Sequence, residues 1–359
     1  MSGTLPLLTR RGDTLGYDRE RGVVRILDRR IYPRETRFIE CDDVQTVAQA
    51  IEDMIVQGGP PLAYVAGYGL ALAARQHASW PSEAQRSALI EATARLRATR
   101  PTADDLHHIM REALQRGDEA IMRGESAEEA ILRYVSSEVE RGDRVAERCG
   151  KRAAELLTDG DSILTVCFAG AALNWMLHEA FVVQGKQISI ICTETRPYLQ
   201  GARLAAAQAV EIGVPTTVIT DNMPGFCFRK GMITVYITAA DRIALDGAAA
   251  NKVGTYQCAV LARHHKVPFY VLGYDGPDPA TPTGDAIPIE ERNGDEVLFC
   301  AGVRTAAEGA RGYYPAFDVT PPELISAIVT DRGIYRPELI ARYLSEGEAP
   351  LDVLPLSQL

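Results

Sequence analysis

The sequence lacks the patterns that mark several common protein classes. Its seven cysteines form no CxxC pair and its six histidines form no HxxxH pair, so we expect free thiols and no metal site. No apolar run is long enough and free enough of charge to span a bilayer. The first 15 residues, which include Arg10 and Arg11, do not resemble a signal peptide. A cytoplasmic protein is therefore expected.

Positive charge is also in the minority. The chain has 38 Lys and Arg residues against 48 Asp and Glu residues, which gives a formal net charge of -10. Because nucleic-acid and membrane surfaces are bound through clustered Lys and Arg, and no such cluster is present, neither is expected as a partner. A net negative charge remains compatible with a small local cationic pocket for a phosphate group.

The first part of the chain predicts a small domain of strands followed by a helical bundle, which we place at residues 1–145. Short β-branched segments at 22–28 and 36–40 predict strands. Apolar residues at helical spacing then predict helices, the first of them capped by Asp42 or Asp43.

The second part, residues 146–359, alternates between strands and helices and predicts an α/β domain with a Rossmann-like, doubly wound parallel sheet. The glycine-rich GxGxxG fingerprint is missing after the first strand, so a nicotinamide cofactor is not expected. The segments that carry this prediction are strands at 162–167, 187–193, 216–220, 233–238 and 267–272, and helices at 170–185 and 200–212.

Reactive side chains follow three of these strands. Cys167 lies directly before a predicted helix, whose amino end favours a thiolate. Polar residues fill 194–201, and Asp241 ends the strand at 233–238, with Asn251 and Lys252 expected in the following turn. Alone, a buried Cys is usually a small apolar residue and an Asp in this position usually caps a helix. Together they indicate an acid/base site around a phosphate.

The motifs taken together resemble the methylthioribose-1-phosphate isomerase family. That family is related to the α, β and δ subunits of initiation factor 2B and to archaeal ribose-1,5-bisphosphate isomerase. The resemblance extends from about Leu15 to Pro337. It is carried by residues 54–60 (MIVQGGP), 99–102 (TRPT), 194–204 (ETRPYLQGARL), 220–223 (TDNM), 240–243 (ADRI), 250–256 (ANKVGTY), 287–292 (IPIEER) and 315–321 (PAFDVTP).

The resemblance implies an aldose-to-ketose isomerisation in methionine salvage, from 5-methylthioribose 1-phosphate to 5-methylthioribulose 1-phosphate. This chemistry needs two positioned acid/base groups and no cofactor. The family pattern assigns these roles to Asp241, as the acid, and to Cys167, as its proton or charge partner. It also implies a homodimer, and it places the sugar phosphate against Gln57, Gly58, Arg100, Gln200, Asn251 and Lys252.

Three segments depart from the family pattern. A family Arg-Gly-Ala-Pro stretch is Gln57-Gly58-Gly59-Pro60 here, so a neutral amide replaces a cation. Residues 165–170 keep the thiol of a Thr-His-Cys-Asn-Thr-Gly motif but have apolar neighbours, which raise a thiol pKa through desolvation. Residues 272–276 lack the family's Ala-Pro and Ser/Thr pattern.

Three hypotheses therefore remain open. The chain isomerises methylthioribose 1-phosphate, or it isomerises a related sugar such as 5-deoxyribose 1-phosphate or ribose 1,5-bisphosphate. Alternatively, it binds or regulates without catalysis, as the initiation-factor subunits do.

Overall fold

The computed structural model describes residues 5–101 and 103–345. The chain divides into two compact units. One is Arg10–Arg144; the other comprises the described parts of Met1–Thr9 and Val145–Leu359. The division falls inside one long helix, and residues 5–9, which the sequence analysis assigned to the N-terminal domain, group with the second unit.

The Arg10–Arg144 unit combines a three-stranded antiparallel sheet with helices. Asp43 caps the first helix, as the sequence predicts, because its side chain accepts a hydrogen bond from the Thr46 N–H at 2.7 Å. The elements are β1 (Leu15–Asp18), β2 (Val23–Leu27), β3 (Phe38–Cys41), α1 (Val44–Glu52), α2 (Gly59–Gln76), α3 (Ser82–Arg97), α4 (Asp104–Met122) and the first part of α5 (Ala127–Glu155).

The second unit is built on a seven-stranded sheet, and this confirms the predicted doubly wound architecture. Except for the edge strand at Thr216–Ile219, its strands are short runs that are buried along most of their length, as helices on both faces require. In chain order they are β4 (Ser162–Thr165), β5 (Ser189–Thr193), β6 (Thr216–Ile219), β7 (Val235–Ala239), β10 (Phe269–Tyr274), β16 (Ala327–Thr330) and β17 (Ile334–Tyr335).

Helices connect these strands and pack beside them. They are α6 (Ala171–Leu177), which continues as a π-helix at His178–Val183; α7 (Ala206–Ile212), preceded by a π-helix at Gly201–Ala205; α8 (Pro224–Arg229); and α9 (Thr255–His264). Short 3-10 helices lie at Leu7–Thr9, Arg11–Asp13, Gly284–Ala286, Gly294–Leu298, Pro322–Leu324 and Pro337–Leu344. Within the described part of the chain, no helix has the length and apolar character needed to cross a membrane.

The strand order creates a switch point in the middle of the sheet. The order is β17-β16-β10-β7-β4-β5-β6, with every neighbouring pair parallel except β16 and β17. The chain proceeds from β4 to β5 and β6 on one side, and then returns to place β7 on the other side of β4. In such sheets the carboxyl ends of the two strands at the switch point flank the usual ligand crevice.

The region after β7 differs from the predicted strand, turn and helix. Asn251 and Lys252 lie on a strand, not in a turn, because the small residues before them fit into a three-stranded antiparallel sheet. Its strands are β8 (Arg242–Ile243), β9 (Ala249–Lys252) and β15 (Phe317–Thr320). Two-residue strands complete the fold: β11 (Glu291–Arg292) pairs with β14 (Tyr314–Pro315), and β12 (Phe299–Cys300) pairs with β13 (Val303–Arg304).

Candidate active site

Cys167 lies in the loop between β4 and α6, in a backbone conformation that few side chains adopt. Its φ is 65°, and its N–H donates to the Thr195 hydroxyl at 2.9 Å. Thr195 follows β5 and is itself held by Asp221, which accepts a hydrogen bond from the Thr195 N–H at 2.8 Å. A non-glycine residue at positive φ persists only where its surroundings fix it. The sheet edge therefore holds the thiol in a defined position.

Asp241 follows β7, the strand next to β4 at the switch point. Its N–H donates to the Ala250 carbonyl at 2.8 Å, which ties the residue to β9. The side chain is accessible to solvent, yet desolvation by the protein around the carboxyl group raises its pKa. The positive charges of Lys252 and Arg292 oppose that rise. These charges and the nearby thiol place Asp241 in one cluster with Cys167.

The thiol of Cys167 is neutral at ordinary pH. Desolvation by the surrounding protein raises its pKa to about 11, although the residue keeps some exposure to solvent. The positive charge of Lys252 opposes this rise, and the charge of Asp241 adds a smaller one. Two opposing effects were expected from the sequence: a helix amino end that favours the thiolate, and apolar neighbours that disfavour it. Desolvation is the larger effect in the structure, so Cys167 has a proton to donate.

Asn251 and Lys252 are buried side by side on β9. The Asn251 amide donates to Thr238 at 3.0 Å and to Thr255 at 2.9 Å, so its orientation is fixed. The Lys252 side chain is 4% exposed, and its Nζ donates to the Tyr314 hydroxyl at 3.1 Å. Desolvation lowers the pKa of Lys252, while Cys167 and Asp241 act to raise it. A buried cation attracts an anionic group strongly, because little water screens its charge.

Arg292 is a second cation of this cluster, and it was not among the site residues predicted from the sequence. It pairs with Glu290 at 3.0 Å and has only 17% of its side chain exposed. Its charge acts on both Cys167 and Asp241. The only sequence signal was its place at the end of the 287–292 motif, because the segment around it has neither helical nor strand periodicity.

Lys252 and Arg292 share an aromatic cluster. Both cations lie within 6.0 Å of the ring centroids of Tyr198, Tyr314 and Phe317. Cations are attracted to aromatic faces, and this stabilises two like charges in a partly desolvated place. The aromatic cluster therefore holds both cations beside the acid/base pair.

Gln200 is buried at the start of the π-helix that follows the 194–201 loop. It is 8% exposed, and its side-chain oxygen has no hydrogen-bond partner among the described residues. The next residue must be glycine, since a Cβ on Gly201 would overlap the Thr193 carbonyl. The helix thus approaches β5 closely and carries Gln200 with an acceptor available for a ligand hydroxyl.

The remaining predicted substrate-binding residues lie in the Arg10–Arg144 unit. Gln57 is 8% exposed and its Oε1 is unpaired among the described residues, while its amide donates to the Met54 carbonyl at 3.2 Å. Gly58 adopts φ 93° directly before α2. Arg100 donates to the Ile51 and Thr99 carbonyls, both at 3.0 Å, so it also stabilises the end of α1. Thr102 of the same motif lies outside the described residues.

Asp318 supports the site from β15. Its carboxylate accepts hydrogen bonds from the N–H groups of Gly254 at 2.6 Å and Tyr256 at 3.0 Å, which fixes the turn between β9 and α9. Burial nevertheless raises its pKa to about 6. Within the described residues, no group of three or more His, Cys, Asp or Glu side chains is arranged to hold a metal ion.

Known proteins share both the sequence and the architecture. Residues 55–337 match the initiation factor 2 subunit family. The chain is 39% identical over 338 residues to the methylthioribose-1-phosphate isomerase of Chloroflexus aurantiacus, covering 91% of this chain and 97% of that protein. It is 40% identical over 327 residues to the enzyme of the same name from Syntrophotalea carbinolica, covering 89% and 95%.

Two solved structures are similar along nearly the whole chain. The 5-methylthioribose 1-phosphate isomerase of Pyrococcus horikoshii has a TM-score of 0.80 and 34% identity, covering 96% of this chain and 98% of that one. The structure described as the delta subunit of translation initiation factor eIF-2B from A. fulgidus has a TM-score of 0.77 and 33% identity, covering 93% and 99%.

Proposed function

We propose that this chain, a member of the initiation factor 2 subunit family and of its methylthioribose-1-phosphate isomerases, is an isomerase of sugar 1-phosphates. The proposed reaction converts 5-methylthioribose 1-phosphate to 5-methylthioribulose 1-phosphate. One observation supports this reaction most strongly. Cys167 and Asp241 follow the two strands of the switch point, and the charge of Asp241 acts on the Cys167 thiol. Lys252 and Arg292 supply positive charge to the same cluster.

The furanose ring cannot open spontaneously because the anomeric carbon carries the phosphate ester, so the ring must be opened while the phosphate stays attached. The bond from C1 to the ring oxygen breaks, and the ring oxygen takes a proton. The hydrogen on C2 then moves to C1, as a proton or as a hydride, and the C2 hydroxyl loses its proton as the ketone forms. One group must therefore donate a proton and one must accept one, with no net change in protonation.

Asp241 is the acid of this proposal. A carboxyl group with a raised pKa donates a proton more readily near neutral pH than an ordinary exposed Asp does. Cys167 is its proton or charge partner: the neutral thiol returns a proton to the Asp241 carboxylate left by ring opening, and the thiolate so formed accepts the proton of the C2 hydroxyl. Gln200 and Asn251 are proposed to bind the sugar, and Gln57, Gly58 and Arg100 remain proposed substrate-binding residues by family pattern.

Lys252 is expected to bind the phosphate. Replacing Lys252 with Met keeps the apolar stem among the aromatic rings but removes the charge. Because a hydrogen bond to a charged group contributes about 1.5–3 kcal/mol, KM for the sugar phosphate should rise at least about tenfold. Steady-state kinetics measure this, with the exposed Lys230→Met as a control that should leave KM unchanged. An unaltered KM in Lys252→Met would place the phosphate elsewhere.

Substrate identity can be tested by comparing initial rates on methylthioribose 1-phosphate, 5-deoxyribose 1-phosphate and ribose 1,5-bisphosphate. We expect the highest kcat/KM on the first. A higher value on either of the others would reassign the substrate within the same reaction class.

A binding or regulatory role is the second candidate, and two observations favour it. Gln57 stands where the family pattern has a cation, and the A. fulgidus structure of similar fold is described as an initiation-factor subunit. Absence of turnover on all three sugars would favour this candidate over the isomerase.

We propose further that the protein acts in the cytoplasm as a homodimer. Apolar side chains are exposed on the packed pair α8 and α9, where Phe226 is 62% exposed and Val260 is 42% exposed. Tyr256, 45% exposed, lies one turn before Val260 on the same face of α9. A contiguous exposed apolar patch is typical of a protein interface.

Light scattering at micromolar concentration is expected to give about twice the chain mass of 39.1 kDa. Phe226→Glu should shift this mass toward that of one chain, whereas Val303→Glu, at an exposed residue of the separate β12–β13 hairpin, should not. A single-chain mass for the unmodified protein would exclude the dimer.

A further inference from the structure

Tyr274, at the end of β10, reaches the loop that carries Cys167. Its hydroxyl donates to the Ala169 carbonyl at 2.7 Å and accepts a hydrogen bond from the Ala172 N–H at 3.1 Å. Ala169 lies two residues after Cys167, and Ala172 is in the first turn of α6. One hydroxyl therefore joins the loop to the helix that follows it.

This contact replaces a helix cap. Gly170 precedes α6 at φ 76° and has no side chain with which to cap it. A Cβ at this position would overlap the Tyr274 hydroxyl, so glycine and tyrosine fit as a pair. The first free N–H groups of a helix need an acceptor, and here the acceptor comes from a different strand.

The backbone conformation at the end of β10 directs the Tyr274 side chain toward the loop. Its pairing with β16 shifts register between Leu272 and Tyr274, and Tyr274 has φ 49°. A bulge of this kind redirects a side chain near the end of a strand. Because β7 separates β10 from β4, the side chain crosses above one strand to reach the loop.

Two side chains thus fix the short loop from opposite sides of β4. Thr195, after β5, accepts the N–H of Cys167, and Tyr274, after β10, holds the carbonyl of Ala169. We propose that Tyr274 is a positioning residue for the reaction, which together with Thr195 keeps the Cys167 thiol in its strained, reactive placement. This inference rests on the proposed isomerase function.

Tyr274→Phe removes only the hydroxyl and leaves the ring packed. Losing this partly buried pair of hydrogen bonds should lower kcat about tenfold, with KM within about twofold of the wild-type value. The rate of alkylation of Cys167 by iodoacetamide should rise several-fold, because release of the loop exposes the thiol both to water, which favours the thiolate, and to the reagent. Peptide mass spectrometry measures this, with Cys300 as an internal reference.

Tyr270→Phe is the matched control, since Tyr270 is a buried tyrosine of the same strand that makes no hydrogen bond to the loop. It should change neither kcat nor the alkylation of Cys167. Thr195→Val, which removes the other hydrogen bond to the loop, should reproduce both changes seen in Tyr274→Phe.

The outcomes separate this inference from the proposed function. A kcat and a Cys167 alkylation rate in Tyr274→Phe both within twofold of wild type would overturn the positioning role, even if its melting temperature fell. Equal changes in Tyr270→Phe would also overturn it, because they would show a general packing effect. If the wild-type protein turned over no sugar phosphate, the proposed function would fail, and the alkylation rates alone would still decide the role of Tyr274.

Discussion

Replacing Asp241 with Asn is expected to lower kcat by about 10³-fold, the largest loss for any single substitution in this chain. The amide has nearly the shape of the carboxyl group but can neither donate nor accept the proton that ring opening and ketone formation require. The backbone hydrogen bond to Ala250 is unchanged by the substitution. Since the side chain is solvent-accessible, the melting temperature should change little.

Steady-state kinetics and thermal unfolding measure both effects of Asp241→Asn. A suitable control is Asp246→Asn, in the turn between β8 and β9. The Asp246 carboxylate accepts a hydrogen bond from the Ala248 N–H at 3.0 Å and has no proposed part in the proton transfers. That variant should keep kcat within about threefold of the wild-type value. If Asp241→Asn retained a comparable kcat, the assignment of the acid would be wrong.

Cys167→Ser is expected to lower kcat by about 10²-fold. Serine preserves the size and the donor geometry, but its hydroxyl is a much weaker acid than even a thiol whose pKa is raised to about 11. The strained backbone and the hydrogen bond from the residue's N–H to Thr195 do not depend on the sulfur. The effect should therefore fall on kcat and not on folding.

The control for Cys167→Ser is Cys300→Ser, because Cys300 is the other cysteine among the described residues that is not buried. Its kinetics should match those of the wild-type protein. Full activity in Cys167→Ser would mean that Asp241 performs both proton transfers and that the thiol only shapes the cluster.

Five strands of the sheet, β4 to β7 and β10, were predictable because each is a short apolar or β-branched run between helical segments, whereas β16 and β17 were not among the predicted strands. Their order was not, since it depends on contacts between residues far apart in sequence. For this reason the sequence analysis could place Cys167 and Asp241 at strand ends, but it could not show that β4 and β7 are neighbours at the switch point. The structure shows that both residues lie at the same edge of the sheet, and its strand order shows that this edge belongs to the two central strands, β4 and β7.

The main error concerned the residues after β7. The run 248–250 is all alanine and carries no β-branched signal, so a turn and a helix were expected there. Pairing with β15, more than sixty residues further along the chain, makes it a strand and turns Asn251 and Lys252 into buried residues. Long-range pairing decided the conformation, and local propensity did not.

Arg292 and Tyr274 were not predicted to contribute to the site, for different physical reasons. Arg292 lies in a two-residue strand whose position is set by its partner Tyr314 and not by any local pattern. Tyr274 follows a register shift in β10, and in the sequence residues 272–276 stand out only as a departure from the family pattern. A side chain redirected by a bulge has no periodic signature.

The central claim is tested most directly by following the C2 carbon of methylthioribose 1-phosphate by 13C NMR in the presence of the purified full-length chain. A ketone signal should appear with the wild-type protein and stay absent with the Cys167→Ser/Asp241→Asn double variant. A ketone that forms equally fast with the double variant, or that never forms with the wild-type protein, would contradict the claim that this thiol and this carboxylate isomerise a sugar 1-phosphate.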